Sequence, residues 1–258
     1  MLLVFDIGNS DITLGLWEGA LLKKIWRVPT KADQPELYYG VKIRDSFFES
    51  SVSTNQVETV VLSSVVPVLT PKVKNAIRSL FGIEPIVLHP DIYEMLPLKI
   101  LNPYEIGSDL VANAMAAWHI YKRACTVVDF GTALTFTTIS NQAEIIGVSI
   151  VPGLRTAIKA LTHNTAKLFD VPLEMPKSAL GTSTVTAIQS GLVIGYDGLV
   201  RSMVAAIRKE VGLDCLAIAT GGLSFVITSL KDFFYEVNPN LTIEGLRLIG
   251  ECVRKKKV

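Results

Sequence analysis

Little in this sequence favours a charged macromolecular partner. Its 258 residues carry 25 basic and 24 acidic side chains, a net charge of +1. That balance gives no electrostatic footprint for nucleic acid or an anionic membrane. The only basic run is Arg254 to Lys257, which reads as a solvated tail or helix end. Cysteine is scarce: Cys125, Cys215 and Cys252 are far apart and form no CxxC pair. A disulfide framework and a structural zinc site are therefore not supported. Cys125 and Cys215 lie in apolar stretches and read as small buried side chains. The three histidines, His89, His119 and His163, are equally scattered, so spacing suggests no Ser-His-Asp arrangement. No uncharged apolar run reaches about 18 residues, so no transmembrane helix is expected. The N-terminus MLLVFDIGNS places an acid at position 6 with no basic region before it, and reads as a buried strand rather than a signal peptide. A reducing, cytoplasmic location is the default expectation.

What is present is apolar bulk, 49% of residues, enough for two lobes of ordinary size. Periodicity predicts three strands in the first 28 residues, with a turn at Glu18-Gly19. Helices follow around 36–49 and 67–81, the second stopped by Gly82, with strands at 59–64 and 85–88. An alanine-rich helix spans 106–121. Strands come at 125–129, 134–139 and 145–150, broken by Pro152-Gly153. A long helical region covers 184–211, interrupted near Gly191 to Gly198. A strand at 216–219 leads into Thr220-Gly221-Gly222, and a last helix runs over 242–253.

The chain also repeats itself. Leu3 to Phe5 is an apolar strand ending in Asp6-Ile7-Gly8-Asn9, and Thr126 to Val128 ends in Asp129-Phe130-Gly131-Thr132; a second strand follows each at once. The two acids are 123 residues apart, near half the chain, which is the pattern of a duplicated fold. Chemically, Asp-x-Gly-x at a strand end offers a tight turn and backbone N–H groups that a bulky anion can approach. Its carboxylate suits a hydrated Mg²⁺ shared with phosphate oxygens. Thr220-Gly221-Gly222 is a third glycine turn, placed to flank an adenosine. Asp109 falls in the first turn of the alanine-rich helix, where the helix dipole favours the ionised, proton-accepting carboxylate. Glu105 is expected to cap that helix.

These motifs resemble the superfamily of acetate and sugar kinases, Hsp70 and actin, and within it type III pantothenate kinase. Asp6-Ile7-Gly8-Asn9-Ser10 resembles the family's DxGNT, Asn102 to Asp109 its NPxExGxD, and Asp129 to Thr135 its DxGTAxT. Pro152-Gly153-Leu154, Gly181-Thr182-Ser183-Thr184 and Thr220 to Leu223 fall in family order, so the likeness covers nearly the whole chain. The resemblance implies an α/β fold of two ribonuclease-H-like lobes, duplicated β-hairpin–βαβα units at 1–122 and 123–258, with a nucleotide cleft between them. It implies ATP-dependent phosphorylation of pantothenate to 4'-phosphopantothenate, the first step of coenzyme A biosynthesis, by a homodimer. Asp6, Ile7, Gly8, Asn9, Ser10, Asp11, Ile12, Thr13 and Thr132 would bind ATP, with Asp6 near Mg²⁺. Asp129 would hold a monovalent cation, potassium or ammonium. Asp109 would be the general base. Ile100, Gly107, Ser108, Asp109, Leu110 and Thr184 would line the substrate site, Thr184 reached from the dimer partner or the second lobe. The apolar helical region 184–211 is expected to bury a dimer contact.

Three departures are visible. Where the family carries Arg after GxD this chain has Leu110, and where it has Tyr two residues before Asn-Pro this chain has Ile100. The usual Gly-Gly before the Pro-Gly segment is Gly147-Val148. Losing a bidentate Arg is not conservative, and Lys99 and Arg155 are candidate substitutes. The alternatives to a pantothenate kinase are a non-catalytic nucleotide-binding regulator and a kinase for another hydroxylated acceptor.

Overall fold

In the computed structural model, residues 1–257 are described, the side chain of Lys257 excepted; the expected basic tail thus lies partly outside the described residues. The chain packs into two units, Met1–Ala116 joined by the C-terminal segment from Leu241, and Ala117–Asn240. The last helix therefore belongs with the first unit although it comes at the end of the sequence.

The first unit opens with β1 (Leu2–Ile7), β2 (Asp11–Glu18) and β3 (Leu21–Pro29), and continues through α1 (Glu36–Glu49), β4 (Thr59–Ser64), α2 (Thr70–Phe81) and β5 (Ile86–Val87). Then come short α3 (Pro90–Tyr93), short β6 (Lys99–Ile100) and α4 (Ser108–Tyr121), whose last turn runs into the second unit. Strand order in the sheet is β3-β2-β1-β4-β5, with β1–β2 and β2–β3 antiparallel and β1–β4 and β4–β5 parallel. Because side chains alternate across a strand, Leu3, Phe5, Ile7, Val60 and Leu62 share one face and form a core with Tyr39, Phe47, Val73 and Ile77 of α1 and α2. The opposite face is closed by α8 (Leu241–Lys257), where Gly250 sits against Val61 and Leu2.

The second unit repeats the plan with β7 (Cys125–Phe130), β8 (Ala133–Ile139), β9 (Glu144–Pro152), α5 (Leu154–His163), α6 (Thr184–Gln189), α7 (Gly195–Val211), β10 (Leu216–Thr220) and β11 (Glu236–Val237). Its strands stand in the order β9-β8-β7-β10-β11, the same order as β3-β2-β1-β4-β5. Val128, Phe130, Leu134, Phe136, Ala217 and Ala219 make the core face, against Leu154, Ile158, Val193, Val200 and Val204. The expected interruption of the long helix is a single π-helical turn, Ser190–Ile194, between α6 and α7. By length and composition alone the run Thr184–Val211 is long and apolar enough to cross a membrane, but it is not the uncharged run of about 18 residues that a span was expected to need. Its charged pair Asp197 and Arg201, joined at 2.8 Å and bonded to Ser229, lies in α7. Cys125, Cys215 and Cys252 are free, the first two buried as expected; burial pushes the Cys125 thiol up to about 12.

Candidate active site

The first Asp-x-Gly turn joins β1 to β2. Asp6 stands beside Thr13 on β2 and Ser63 on β4, so it lies at the carboxyl end of a parallel pair, where ligands of open α/β sheets gather. Gly8 N–H donates to the Asp11 carbonyl at 3.0 Å and closes a three-residue loop, Gly8 to Ser10. Asn9, Ser10 and Asp11 are exposed while Ile7 and Ile12 are buried. Ile7 and Ile12 thus anchor the turn in the core, and the polar residues face outward. Thr30, which the sequence reading passed over, holds the loop from behind: its hydroxyl donates to the Gly8 carbonyl at 2.7 Å and its N–H to the Ser10 carbonyl at 3.0 Å.

The start of α4 is fastened to the same sheet end. Ser63 and Ser108 hydroxyls lie 2.8 Å apart and buried, and the Ser64 N–H donates to the Ser108 hydroxyl at 3.2 Å. The Thr70 hydroxyl donates to that of Ser64 at 2.8 Å, bringing in α2. Asp6 and Asp109 are therefore positioned from one scaffold: Asp6 is in register with Ser63, and Ser63 bonds the residue before Asp109. Asn102 turns the chain into this segment with φ of +47°, a left-handed conformation that asparagine tolerates, and its carbonyl accepts from the Glu105 and Ile106 N–H groups. Glu105 accepts from the Asn102 side-chain amide at 3.5 Å and so closes this turn.

Asp109 is partly exposed, but its carboxyl is enclosed enough for burial to raise its pKa above the ordinary 3.8. The Leu110 N–H, 2.9 Å from Oδ1, and the residue's own N–H pull the other way. Desolvation outweighs the N–H donors, so the shift runs opposite to the one the helix end alone would give. A raised carboxyl pKa makes a stronger proton acceptor. The carboxylate folds back over Gly107, where a Cβ would stand 2.5 Å from Oδ1, so Gly107 provides its space. Tyr93 on α3, 5% exposed, is a neighbour that spacing could not reveal; burial and then the Asp109 charge push its phenol up to about 12. Leu110 is 7% exposed and Ile100 half-buried, both apolar where the resemblance called for polar side chains.

In the second unit Asp129 lies between Thr135 on β8 and Thr220 on β10. Its turn is one residue shorter: Gly131 N–H donates to the Ala133 carbonyl at 3.1 Å, leaving Gly131 and Thr132 as the loop. The Thr132 carbonyl accepts from the Gly153 N–H at 3.0 Å and the Thr156 hydroxyl at 2.6 Å. Gly221 has φ of +91°, and a Cβ there would meet Asp129 Oδ1 at 2.4 Å, so only glycine fits. Beyond it, Leu223 and Val226 line an open cavity of ≈ 360 Å³ with Arg155 and Lys159 of α5 and Val171 and Leu173. Thr184 opens α6, behind a capping box in which Ser183 and Thr186 exchange bonds with each other's N–H groups. Gly181 packs onto the Ala187 backbone, which leaves no room for a side chain. Among the described residues no group of three or more His, Cys, Asp or Glu side chains could hold a metal ion.

The family model for type III pantothenate kinase matches residues 2–206. A type III pantothenate kinase from Anaeromyxobacter dehalogenans is 39% identical over 251 residues, 97% of this chain and 99% of that one. Among solved structures, a conserved protein from Campylobacter jejuni named for a Baf family of transcriptional activators superposes with a TM-score of 0.59 at 20% identity, covering 99% and 98%. MreB 5 of Spiroplasma citri, bound to AMPPNP, superposes with a TM-score of 0.54 at 10% identity, covering 99% and 97%. These two likenesses are of fold alone.

Proposed function

Because the chain belongs to the type III pantothenate kinase family, we propose that it transfers the γ-phosphoryl group of Mg-ATP to the hydroxyl of pantothenate, the first step of coenzyme A biosynthesis. The observation that carries this reading is the Ser63–Ser108 bond, which sets the phosphate-type turn at Asp6 and the raised carboxyl of Asp109 on one sheet end. Phosphoryl transfer needs little covalent chemistry from the protein; it needs positioning and charge. The loop from Asp6 to Thr13 supplies outward polar groups and backbone N–H for the phosphates, and Thr132 supplies a hydroxyl and N–H from the second turn. The cavity beside Leu223 and Val226, lined also by Arg155, Lys159 and Asp170, would take the purine on its apolar side chains. Asp109 takes the proton of the acceptor hydroxyl.

The metals implied by the family fit the donors differently. No all-protein cage for a divalent ion exists among the described residues, as suits Mg²⁺ held by one carboxylate, phosphate oxygens and water; Asp6 would hold it. The ion would neutralise charge on the transferring phosphoryl group. Asp129 has a single negative charge with hydroxyl side chains on both neighbouring strands, a set suited to a monovalent cation, potassium or ammonium.

Gly107, Ser108, Leu110 and Ile100 would form the acceptor wall, with Thr184 contributed by the second unit or by a dimer partner. A homodimer is proposed with the region 184–211 at its contact, although the exposed large apolar residues of the second unit include Ile150, Leu161 and Leu180 and none within 184–211. The sequence duplication is proposed to divide at 122/123, but the lobe bounds 1–122 and 123–258 are corrected by the packing of Leu241 onward with the first unit, leaving Ala117–Asn240 as the second. The proposed location is the cytoplasm, in keeping with three free cysteines, and the balanced charge supports neither a nucleic-acid nor a membrane partner.

The test is ADP release with Mg²⁺ and K⁺, pantothenate being compared with a panel of other hydroxylated acceptors. Pantothenate should be the preferred acceptor. A different acceptor turning over faster would transfer the reading to that compound, and no turnover with any acceptor would favour the non-catalytic regulator to which the apolar Leu110 and Ile100 point. Leu110→Arg sharpens the result. A charge-assisted pair contributes about 1.5–3 kcal/mol, so the KM for pantothenate should fall about tenfold or more. Pantothenol, which lacks the carboxylate, should gain nothing.

A further inference from the structure

We propose that Tyr93 is a specificity residue of the acceptor site, its phenol donating a hydrogen bond to the polar group of the acceptor that lies nearest the reacting hydroxyl. In pantothenate that group is the secondary hydroxyl. This inference rests on the kinase reading given above and adds a contact to it.

The segment that carries Tyr93 is held to the same sheet end as Asp109. β5 runs parallel to β4, and the Leu88 N–H donates to the Leu62 carbonyl at 2.9 Å. Leu62 precedes Ser63, whose hydroxyl bonds that of Ser108. α3 begins at Pro90, just beyond Leu88. Further on, the Cys252 thiol of α8 donates to the Met95 carbonyl at 3.2 Å. Ile92, Leu96 and Leu98 are buried, so the segment is anchored by packing as well.

The Tyr93 ring is 5% exposed, yet its hydroxyl is not sealed in. It bonds no described residue and does not belong with the enclosed, unpartnered polar atoms such as Ser224 Oγ, so it opens onto accessible space. Burial and then the Asp109 charge push the phenol up to about 12, which leaves it a protonated donor at neutral pH. Asp109 Oδ1 accepts from the Leu110 N–H, while Oδ2 accepts from no other described residue. A phenol and a carboxylate oxygen thus stand near one another with bonding capacity unused and no bond between them. A charge is felt strongly only across a short, poorly hydrated gap, so the span between the two is small.

A molecule with two polar groups a few bonds apart fits that span. Its reacting hydroxyl donates to Asp109, and the neighbouring group accepts from Tyr93. The wall beside them is apolar, with Leu110 buried and Ile100 half-buried. Pantothenate has this pattern: a primary and a secondary hydroxyl flank a carbon that bears two methyl groups. The hydroxyls suit the two polar side chains and the methyls suit the wall. Small-molecule sites commonly orient a ligand in this way, by a few polar groups set in apolar surface. An acceptor lacking the neighbouring group would leave the phenol unpaired in a dry site, which is the source of discrimination.

Tyr93→Phe removes the hydroxyl and keeps the ring. The hydroxyl has no partner among the described residues, so the variant should melt no lower than wild type. Acceptor affinity is measured on the full-length protein by calorimetry with a non-hydrolysable ATP analogue, and turnover by ADP release with Mg²⁺ and K⁺. The acceptors are pantothenate and the analogue that lacks its secondary hydroxyl. The variant should bind pantothenate up to about tenfold more weakly, the scale of one hydrogen bond, with the KM for ATP unchanged. Wild type should lose a similar factor on the analogue, and the variant should lose nothing further there, as for two changes that delete one contact. A merely structural role would weaken both acceptors equally and lower the melting point. That result, or wild-type affinity for pantothenate in the variant, would overturn the proposal and leave the kinase reading standing. No turnover of pantothenate by the wild type would overturn both.

Discussion

The two Asp-x-Gly hairpins do the same structural job by different means. In each, the third strand ends in proline, Pro29 or Pro152, and each proline lies 23 residues after its aspartate (6 to 29, 129 to 152). In each, the next residue donates its N–H to the last carbonyl of the loop: Thr30 to Ser10 and Gly153 to Thr132, both at 3.0 Å. The first loop is one residue longer, and the β8–β9 connection restores the count by being longer than the Gly19-Ala20 turn. The buttress differs most. In the first hairpin Thr30 adds its own hydroxyl bond. In the second that place must be glycine, because a Cβ on Gly153 would stand 2.2 Å from the Gly131 carbonyl, and the hydroxyl comes instead from Thr156 in α5. A duplicated element thus conserves its backbone bond and lets the side chains diverge. The second hairpin is locked to a helix start, while the first keeps three exposed polar residues in a row.

The largest expected effect separates the two acids. Asp6→Asn should lower kcat by about a hundred- to a thousandfold, the scale of losing one group that stabilises transition-state charge. Asp129→Asn should mainly raise the potassium requirement. ADP-release rates across magnesium and potassium titrations decide this, and equal losses for both would end the division of labour. Next comes Gly153→Ala, which should destabilise by about 3 kcal/mol through overpacking on backbone that cannot move aside; a denaturant melt that matches wild type would break the comparison.

The pH profile tests whether proton transfer belongs to the first unit alone. Asp109 must be ionised to act, and burial raises its pKa. Activity should therefore fall on acidification already above the pH at which an ordinary aspartate titrates, and Thr132→Ser should leave that acid limb in place. The sign for stability is opposite to that of an ion-paired aspartate. The folded state holds this proton more tightly than the unfolded one, so ionised Asp109 is a burden at neutral pH. Asp109→Asn should melt higher at pH 7, with the gain fading as pH falls through the raised pKa of the folded state and absent once pH is below the ordinary 3.8. The smallest effect is Thr30→Ala, about 1 kcal/mol for one hydroxyl bond, recovered by Thr30→Ser.

Most elements could be read from periodicity because each is long or sharply punctuated. α1 and β4 fall at their expected limits, and the π turn lies within the stretch where glycines signalled a break. The paired Asp-x-Gly turns were legible because glycine and aspartate there answer to local geometry. What stayed hidden depends on register between distant strands. Nothing near Ser63 or Ser108 announces that they meet across 45 residues, or that Thr135 and Thr220 flank Asp129. Short β6, β11 and α3 have too few residues for a period. The sign of the Asp109 shift also escaped, since a helix dipole is visible in sequence and the enclosure of a carboxyl is not.

The packing of α8 sets a schedule for making this protein. Gly245 crosses α4 so closely that a Cβ would lie 1.9 Å from the Ala112 carbonyl, and Thr242 donates to the Asn113 side chain at 2.8 Å. Leu246, Ile249 and Val253 are buried with it. One face of the first sheet therefore waits for α8, made after the whole second unit. On the ribosome, the segment Ala117–Asn240 is complete while the earlier-made unit still lacks its last layer. The usual order, N-terminal part first, is reversed, and the first unit must keep an apolar face open until α8 has been made.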